Sequence, residues 1–508
     1  MVETIKEKGL NRVVVAACTP RTHEPVFQDA LREAGLNPYL FEFANIREQC
    51  SWVHMRDRQV ATKKTQDLVR MAVAKAKLLK PLYQLPYDIT HAGLVIGGGI
   101  SGMVSALTLA SQGIKVHLVE KAKELGGIGR KIYYTVEGGD VQAYLQELIQ
   151  KVYKELLIQV HTEANIIEFA GYVGNFTTKI AVGAKRFIKE ISHGVTIVAT
   201  GAEEFRPTEY LYGKDPQVVT ALELEEEIAQ KSDKFTTYTS IVMIQCVGSR
   251  DSERPYCSRV CCSQAIKNAL RLKEINPAIE IYIIYRDMRT YGFRENYYQR
   301  AAEHGVKFIR YDIDDKPEVE RVQENGHSIL RVTVAEPTLG QRLMLDANMV
   351  ALGVASVPGA DNTTVSQMLK VPLNEDNFFM EAHMKLRPVD FATDGIFMCG
   401  LAHSPKFIDE SIAQAQAAAS RAMTILAQEQ MRAGGAICTV TRGKCTGCGL
   451  CEEVCPFYAI EVDATDQVAV VNEALCKGCG VCASSCRSGA LDIEGVSDEE
   501  TLSLVRAF

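Results

Sequence analysis

Apolar residues fall along this chain in two kinds of run: short unbroken ones, and longer ones spaced at three and four positions. Their alternation predicts two strand–loop–helix–strand units of the kind that builds a parallel sheet. The first has a strand at 94–96, a glycine-bearing loop, a helix, and a second strand at 115–119. The second has a strand at 241–245, a long loop, a helix at 263–275 and a strand at 279–286. Two other apolar runs, GVTIVATGA at 194–202 and DGIFMCG leading into a small-residue helix (394–422), read as further strands of the first unit. Residues 1–60 read as helix, strand, loop, helix and strand. An exposed helix then runs until Pro81 stops it, and an extended linker follows. MRAGGAICTVTRG reads as a second linker. The tail SDEETLSLVRAF has an N-cap-like Ser497 and an amphipathic pattern, suited to docking a partner or closing the last domain.

At 508 residues the chain exceeds one ordinary core, so three or four domains are expected. With 47% hydrophobic and 23% charged residues it has the composition of a soluble globular protein. A net charge of −7 with no long basic run gives no support to a nucleic-acid partner. The uncharged run at 91–114 is long enough for a bilayer. Its glycines and serines nevertheless fall in strand–turn–helix order, so no transmembrane segment is expected. MVETIKEKGLNRVV carries charges where the apolar part of a signal peptide would sit. A cytoplasmic location follows, in which sixteen cysteines are expected to serve as metal ligands rather than as a disulfide framework.

The C-terminal region carries the most specific chemistry. CTGCGLCEEVCP holds Cys445, Cys448, Cys451 and Cys455; CKGCGVCASSC holds Cys476, Cys479, Cys482 and Cys486. Each is a C-x2-C-x2-C-x3-C run, the spacing of two-cluster ferredoxins, in which the fourth cysteine of one run ligates the other run's cluster. That assigns Cys445, Cys448, Cys451 and Cys486 to one [4Fe-4S] cluster, and Cys476, Cys479, Cys482 and Cys455 to the second. The intervening YAIEVDATDQVAVVNEALC reads as two short strands around a turn. Arg487 stands where the first run has Pro456, a departure that removes no ligand. A zinc site would want two pairs of ligands rather than four close cysteines twice.

The glycine-bearing unit reads AGLVIGGGISGMVSALTLASQGIKVHLVEKAKELGG. Gly97 makes the turn, Gly99 lets the backbone approach a pyrophosphate, and Gly102 lets helix and strand pack closely. The helix N-terminus at Ile100 and Ser101 favours the negative charge. Glu120 ends the second strand, where an acidic residue accepts from ribose hydroxyls. The 194–202 and 394–422 segments resemble the remaining nucleotide contacts of two-dinucleotide-domain flavoproteins, and Gly400 ends the last strand beside the flavin. That resemblance makes the dinucleotide FAD rather than NAD. It adds Lys121, Gly127, Thr200 and Gly201 as candidate contacts. It also places His403 and Lys406 in the loop before the helix aimed at the isoalloxazine. Lys406 is then a candidate for stabilising reduced, anionic flavin, with a solvated surface charge as the plain alternative.

The second unit resembles the pyridine-nucleotide domain of thioredoxin-reductase-like enzymes, yet its loop lacks a G-x-G-x-x-G. Instead QCVGSRDSERPYCSRVCC brings Cys246, Cys257, Cys261 and Cys262, with Gly248 alone remaining. Inert buried thiols, a redox disulfide and an unusual iron–sulfur site all compete. The spacings do not make a C-x-x-C pair, and four cysteines in one loop exceed chance, so a third, non-standard [4Fe-4S] site is the leading reading.

NRVVVAACTPRTHEPVFQDALREAGLNPYLFEFANIREQCSWVH, GGGISG, YVGNF, CVGSRD with YCSRVCC, YRDMRTYG and CGLAHSPK together resemble the A-type, iron–sulfur flavoprotein subunit of heterodisulfide reductase and its relatives in anaerobic electron-transfer complexes. The resemblance covers nearly the whole chain. It implies an α/β, thioredoxin-reductase-like two-dinucleotide-domain flavoprotein with a C-terminal α+β two-cluster ferredoxin module. The expected domains are a partial N-terminal α/β domain (1–80), a linker (81–91), a FAD-binding domain in two parts (92–210 and 345–430), a degenerate pyridine-nucleotide-like domain carrying the cysteine loop (211–344), and the ferredoxin domain with its tail (431–508).

The resemblance also implies an oxidoreductase subunit in which FAD passes single electrons to clusters, with bifurcation toward a low-potential ferredoxin and a higher-potential partner. Implied partners are B- and C-type subunits and a hydrogenase- or dehydrogenase-linked input subunit, around a dimer of this chain. Two departures stand out. The inserted ferredoxin module of the longest members is missing, and the N-terminus resembles only the second half of its domain. Cys18 and Cys50 are too few for a cluster; either a separate short chain completes their site or they are structural thiols, as Cys399 and Cys438 are expected to be. An NAD(P)H-dependent electron-entry flavoprotein is the rival enzyme reading, but it needs a second glycine-rich loop. A non-bifurcating electron wire is the rival scaffold reading.

Overall fold

The computed structural model describes all residues except 231–232, 325–326, 337–339 and 474. The chain forms two compact units, residues 89–429 and residues 1–88 with 430–508.

The 89–429 unit contains two five-stranded parallel sheets. The first has strand order Ile396–Met398, Val195–Val198, Ala92–Ile96, Lys115–Val119 and Ile158–His161. The second runs Val218–Thr220, Met349–Val354, Ser240–Val247, Glu280–Tyr285 and Lys307–Arg310. Every residue of Ser240–Val247 is buried, as a central strand covered on both faces requires. Each sheet carries a three-stranded antiparallel appendage, Ala164–His193 and Glu318–Ala347 in extent. The chain leaves the first sheet through Ala202–Glu204 and returns through Ser356–Pro358, and these two short strands pair antiparallel. Helices Ile100–Ala110 and Ile408–Leu426 pack against each other beside the first sheet, joined by Ser105 donating to the Ala415 carbonyl.

In the other unit, parallel strands Val13–Ala17 and Phe41–Asn45 carry helices Val2–Lys8, Pro20–Glu33 and Arg58–Ala76. In its core Phe27 stacks on Phe41, and Phe43 meets both rings edge to face. Both segments read as linkers in fact pair: Gln84–Asp88 forms an antiparallel ribbon with Gln430–Gly434. Backbone groups that a linker would leave to water are satisfied here by each other. The N-terminal and ferredoxin segments, expected as separate domains, thereby share one unit. The tail helix Asp498–Ala507 starts in a Ser497–Glu500 capping box, and Arg70 of Arg58–Ala76 reaches its last carbonyls at 3.3 and 3.4 Å. The tail closes this unit. Among the described residues, no helix is long and apolar enough to cross a membrane.

Candidate functional site

The loop after Ala92–Ile96 is built by steric necessity. Gly97 has φ +108°, and a Cβ there would meet the Ala199 carbonyl oxygen at 2.2 Å. A Cβ on Gly102 would lie 1.8 Å from the Gly97 carbonyl oxygen, so helix and strand approach as only glycine permits. Gly99 differs: no atom lies within 4 Å of its would-be Cβ, which leaves space at the N-terminus of helix Ile100–Ala110 for a ligand's phosphate. Gly127 closes on this loop, with its would-be Cβ 3.3 Å from Gly99 Cα. The Glu120 oxygens accept from the Gly98 and Ala122 amides at 2.6 and 2.7 Å, and each keeps a lone pair for a ribose hydroxyl. Lys121 instead points to Asp361 at 3.0 Å and is half exposed. Thr200 donates to Asn362 at 3.2 Å, and Gly201 takes φ +75° with open space at its Cβ position. These residues fit the ADP half of FAD.

Gly400 meets the same loop from the other strand: a Cβ on it would reach Ser101 Oγ at 2.2 Å. Its amide donates to Gln414 Oε1 at 2.9 Å, and the Gln414 amide nitrogen donates to His403 Nδ1 at 2.9 Å. His403 Nε2 then donates to Glu381 at 2.9 Å. Both ring nitrogens are used, which sets a neutral tautomer; burial, then Lys406, push its pKa down. His403 is therefore a positioning group within this chain of bonds. Lys406 is 9% exposed and is held by the carbonyls of Gly400 at 2.7 Å and Ser404 at 2.9 Å. It is no solvated surface lysine. Burial, then the Arg259 charge, push its pKa down to about 8.

The cysteine loop leaves strand Ser240–Val247 through a break in register between Ile244 and Val247. Cys246, Arg250 and Arg259 all take positive φ, a rare conformation for residues with a side chain. Cys261 and Cys262 open the helix Cys261–Ile275, which starts two residues earlier than its pattern suggests. Cys246, Cys261 and Cys262 are buried and Cys257 is partly so. Burial, then the Cys262 thiol, raise Cys246, while a Cys261–Cys262 hydrogen bond raises Cys261 and lowers its neighbour. The Arg259 amide donates to Cys257 Sγ at 3.3 Å, and Arg250 approaches Cys246 Sγ at 4.0 Å. Four thiols with amide and guanidinium donors suit an anionic cluster. Arg259, a residue that nothing in the spacing of CSRVCC singles out, also reaches the flavin loop. It donates to the Pro405 carbonyl at 3.1 Å and to Glu410 at 2.8 Å.

In the other unit the two ferredoxin runs repeat each other. Gly447 and Gly478 have φ +67° and +60°, with would-be Cβ atoms 2.5 and 2.1 Å from the Gln467 and Ala436 carbonyl oxygens. Cys455 Sγ accepts from the Ala459 amide and Cys486 Sγ from the Ala490 amide, both at 3.3 Å. Cys445 and Cys476 accept from the Ala469 and Cys438 amides at 3.4 Å. Cys455 shares one small cavity with Cys476, Cys479 and Cys482, the grouping that crossed ligation requires. Cys438 lies on the same cavity, buried beside the ligands. No three described Cys, His, Asp or Glu side chains converge on a single metal-ion position; a cubane spreads its thiolates around a larger core. Far along the same unit, Cys50 Sγ contacts the Ala61 carbonyl at 3.0 Å and Thr65 Oγ1 at 3.1 Å, and Cys18 follows strand Val13–Ala17.

Residues 444–490 match the model of a 4Fe-4S dicluster domain, and residues 95–142 that of an NAD(P)-binding Rossmann-like domain. The thioredoxin reductase of T. acidophilum shares 15% identity over 65% of this chain and 97% of its own, with a TM-score of 0.46. Fold and site together define a flavoprotein oxidoreductase with FAD and [4Fe-4S] clusters. An A-type iron-sulfur subunit of the CoB–CoM heterodisulfide reductase of Methanopyrus kandleri is 38% identical over 91% of this chain and 84% of its own. The A-type subunit of the H(2):CoB-CoM heterodisulfide,ferredoxin reductase of Methanothermobacter thermautotrophicus is 36% identical over 90% and 82%. The chain belongs to the family of A-type heterodisulfide reductase subunits.

Proposed function

We propose that this chain is a cytoplasmic electron-transfer subunit in which electrons pass singly between FAD and iron–sulfur clusters, one of them held by Cys246, Cys257, Cys261 and Cys262. The observation that carries this reading is Arg259. Two residues beyond Cys257, it is bonded to Pro405 and Glu410 on either side of Lys406. Bound FAD supplies the exchange between two-electron and one-electron chemistry. Gly97, Gly99, Gly102 and Gly127 admit its phosphates, with Ile100 and Ser101 opening the helix beneath; Glu120, Thr200, Gly201 and Gly400 line its path. Lys406 places a positive charge at the flavin loop, and burial keeps that charge poised to leave. The ferredoxin cysteines hold two further clusters.

The finer reading is flavin-based bifurcation within a heterodisulfide-reductase-like complex, with B- and C-type subunits, an input dehydrogenase or hydrogenase-linked subunit, and ferredoxin as an acceptor. The relatives named heterodisulfide,ferredoxin reductases favour it. A dimer of this subunit forms the core of that assembly. The test is iron, sulfide and FAD per chain after anaerobic purification of wild type and a Cys261→Ala/Cys262→Ala variant. About twelve irons falling to about eight, with FAD retained, is the expected result; about eight in both sinks the third cluster. Bifurcation further requires crossed flavin potentials, in which the electron that leaves the fully reduced flavin first does so at a far higher potential than the one that leaves second; the uncrossed order would exclude it.

A further inference from the structure

The two halves of the ferredoxin segment are copies of each other, and one buried side chain breaks their symmetry. A constant offset of 31 residues carries Cys445 to Cys476, Cys451 to Cys482 and Cys455 to Cys486. The backbone repeats at the same offset. Strand Ile460–Val462 pairs antiparallel with Ala469–Val471, as Leu491–Ile493 pairs with Cys438–Val440. In these ribbons Ala469 stands opposite Val462, and Cys438 stands opposite Ile493. The Ala469 amide donates to Cys445 Sγ and the Cys438 amide to Cys476 Sγ, both at 3.4 Å. Cys438 and Ala469 are therefore equivalent positions, 3% and 4% exposed. One carries a thiol and the other a methyl group.

Cys438 is no member of the ligand pattern, since each run supplies three cysteines to one cluster and its fourth to the other. It lies on the small cavity that Cys455, Cys476, Cys479 and Cys482 share. Its side chain is hydrogen-bonded to that of Cys482, a bond that keeps the proton on Cys438 and favours the Cys482 thiolate. The same Sγ lies 3.7 Å from the Thr439 carbonyl oxygen. A thiol has one proton to give, and a charged thiolate is the stronger of these two acceptors. Cys451, the counterpart of Cys482, faces no such donor, because a methyl group stands at Ala469. Reduction adds one negative charge to a cluster and its thiolates, so a donor to one of them binds the reduced form more strongly. Hydrogen bonds to the sulfurs are among the factors that set a cluster's potential.

We propose that Cys438 tunes the ferredoxin module: its S–H donates to Cys482 Sγ and raises the potential of the cluster held by Cys476, Cys479, Cys482 and Cys455, a contribution that its twin lacks. An electron shared between the two clusters is drawn toward that side, which gains one electron as the twin loses one. The proton stays on Cys438. The inference rests on the two ferredoxin clusters of the proposed function.

The experiment uses the full-length chain purified anaerobically, as wild type, Cys438→Ala, Cys438→Ser and Ala469→Cys. Iron per chain is counted, and cluster midpoints are read by mediated redox titration followed by electron paramagnetic resonance. Cys479→Ala, which empties one cluster, shows which midpoint belongs to it. Cys438→Ala is expected to keep its iron and lower that midpoint alone. The expected size is about tenfold in the reduction equilibrium, or about 59 mV for one electron. Cys438→Ser keeps a donor and should recover most of the shift, whereas Ala469→Cys should raise the other midpoint. Full iron with unmoved midpoints in Cys438→Ala would overturn the proposal, as would a serine variant as low as the alanine one. If Cys438→Ala loses iron, Ala469→Cys decides: a midpoint that does not rise there overturns the tuning role. Wild-type iron below about eight per chain would instead remove the two-cluster reading itself, and this inference with it.

Discussion

The Arg259 guanidinium donates to the Pro405 carbonyl at 3.1 Å, tying the cysteine loop to the residue next to Lys406. That contact has an electrostatic consequence. Burial first and Arg259 second hold Lys406 near 8, below its ordinary value, so the unfolded chain binds the extra proton between about 8 and about 10.4. Stability contributed at this group therefore rises with pH across that window. Arg259→Ala removes the repelling charge and admits water, so Lys406 should titrate at higher pH. Following the flavin absorbance of the holoprotein against pH reads this directly. The inflection is expected to move upward in Arg259→Ala and vanish in Lys406→Met; an inflection that persists unmoved in both would remove Lys406 from the flavin's surroundings.

The glycines of the dinucleotide loop should separate folding from binding. Gly102→Ala drives a Cβ to within 1.8 Å of the Gly97 carbonyl oxygen, and its expected cost is about 2–4 kcal/mol together with loss of FAD. Gly99→Ala meets no protein atom within 4 Å, so it should leave the unfolding midpoint nearly unchanged while still lowering FAD content. Denaturant titration beside flavin quantitation checks both. A Gly99→Ala protein with full FAD would show that no ligand approaches there.

Lys267 and Glu225 make a buried ion pair at 2.8 Å, with side chains 9% and 0% exposed. Glu225 also accepts from the Tyr133 amide at 2.7 Å, and Lys267 donates to the Tyr134 carbonyl at 2.6 Å. The pair thereby joins the second sheet's helices to the segment after the flavin loop. Glu225→Ala strands a buried ammonium and should cost about 3–5 kcal/mol. Replacing both partners with apolar residues of similar size should restore much of that loss. A single variant as stable as wild type in urea would contradict this account.

Crossed ligation in the ferredoxin module predicts a particular pattern of iron loss. Cys455→Ala and Cys479→Ala strike the same cluster, so the double variant should lose about four irons, no more than either alone. Cys455→Ala with Cys448→Ala strikes both clusters and should lose about eight. The reverse pattern, about eight irons lost from the first pair and about four from the second, would mean that each run holds its own cluster.

Much of this protein is legible along the chain because its chemistry is written locally. Cluster ligands sit within one tight loop, and the glycine loop is a strand-to-helix turn. Their residue spacing is itself the constraint that the backbone must satisfy. The two parallel sheets follow for the same reason, since unbroken apolar runs of four to six residues suit strands covered on both faces. The tertiary structure decided what depends on partners far apart in sequence. Thr200 finds Asn362 162 residues away, Arg259 finds Pro405 across 146, and two presumed linkers turn out to satisfy each other's backbone. Whether a charge is solvated, paired or stranded is likewise no property of its neighbours in the chain. Lys406, open in sequence to a solvated surface role, is buried with its ammonium on the Gly400 and Ser404 carbonyls, because desolvation and hydrogen bonding depend on what the fold brings within a few ångströms.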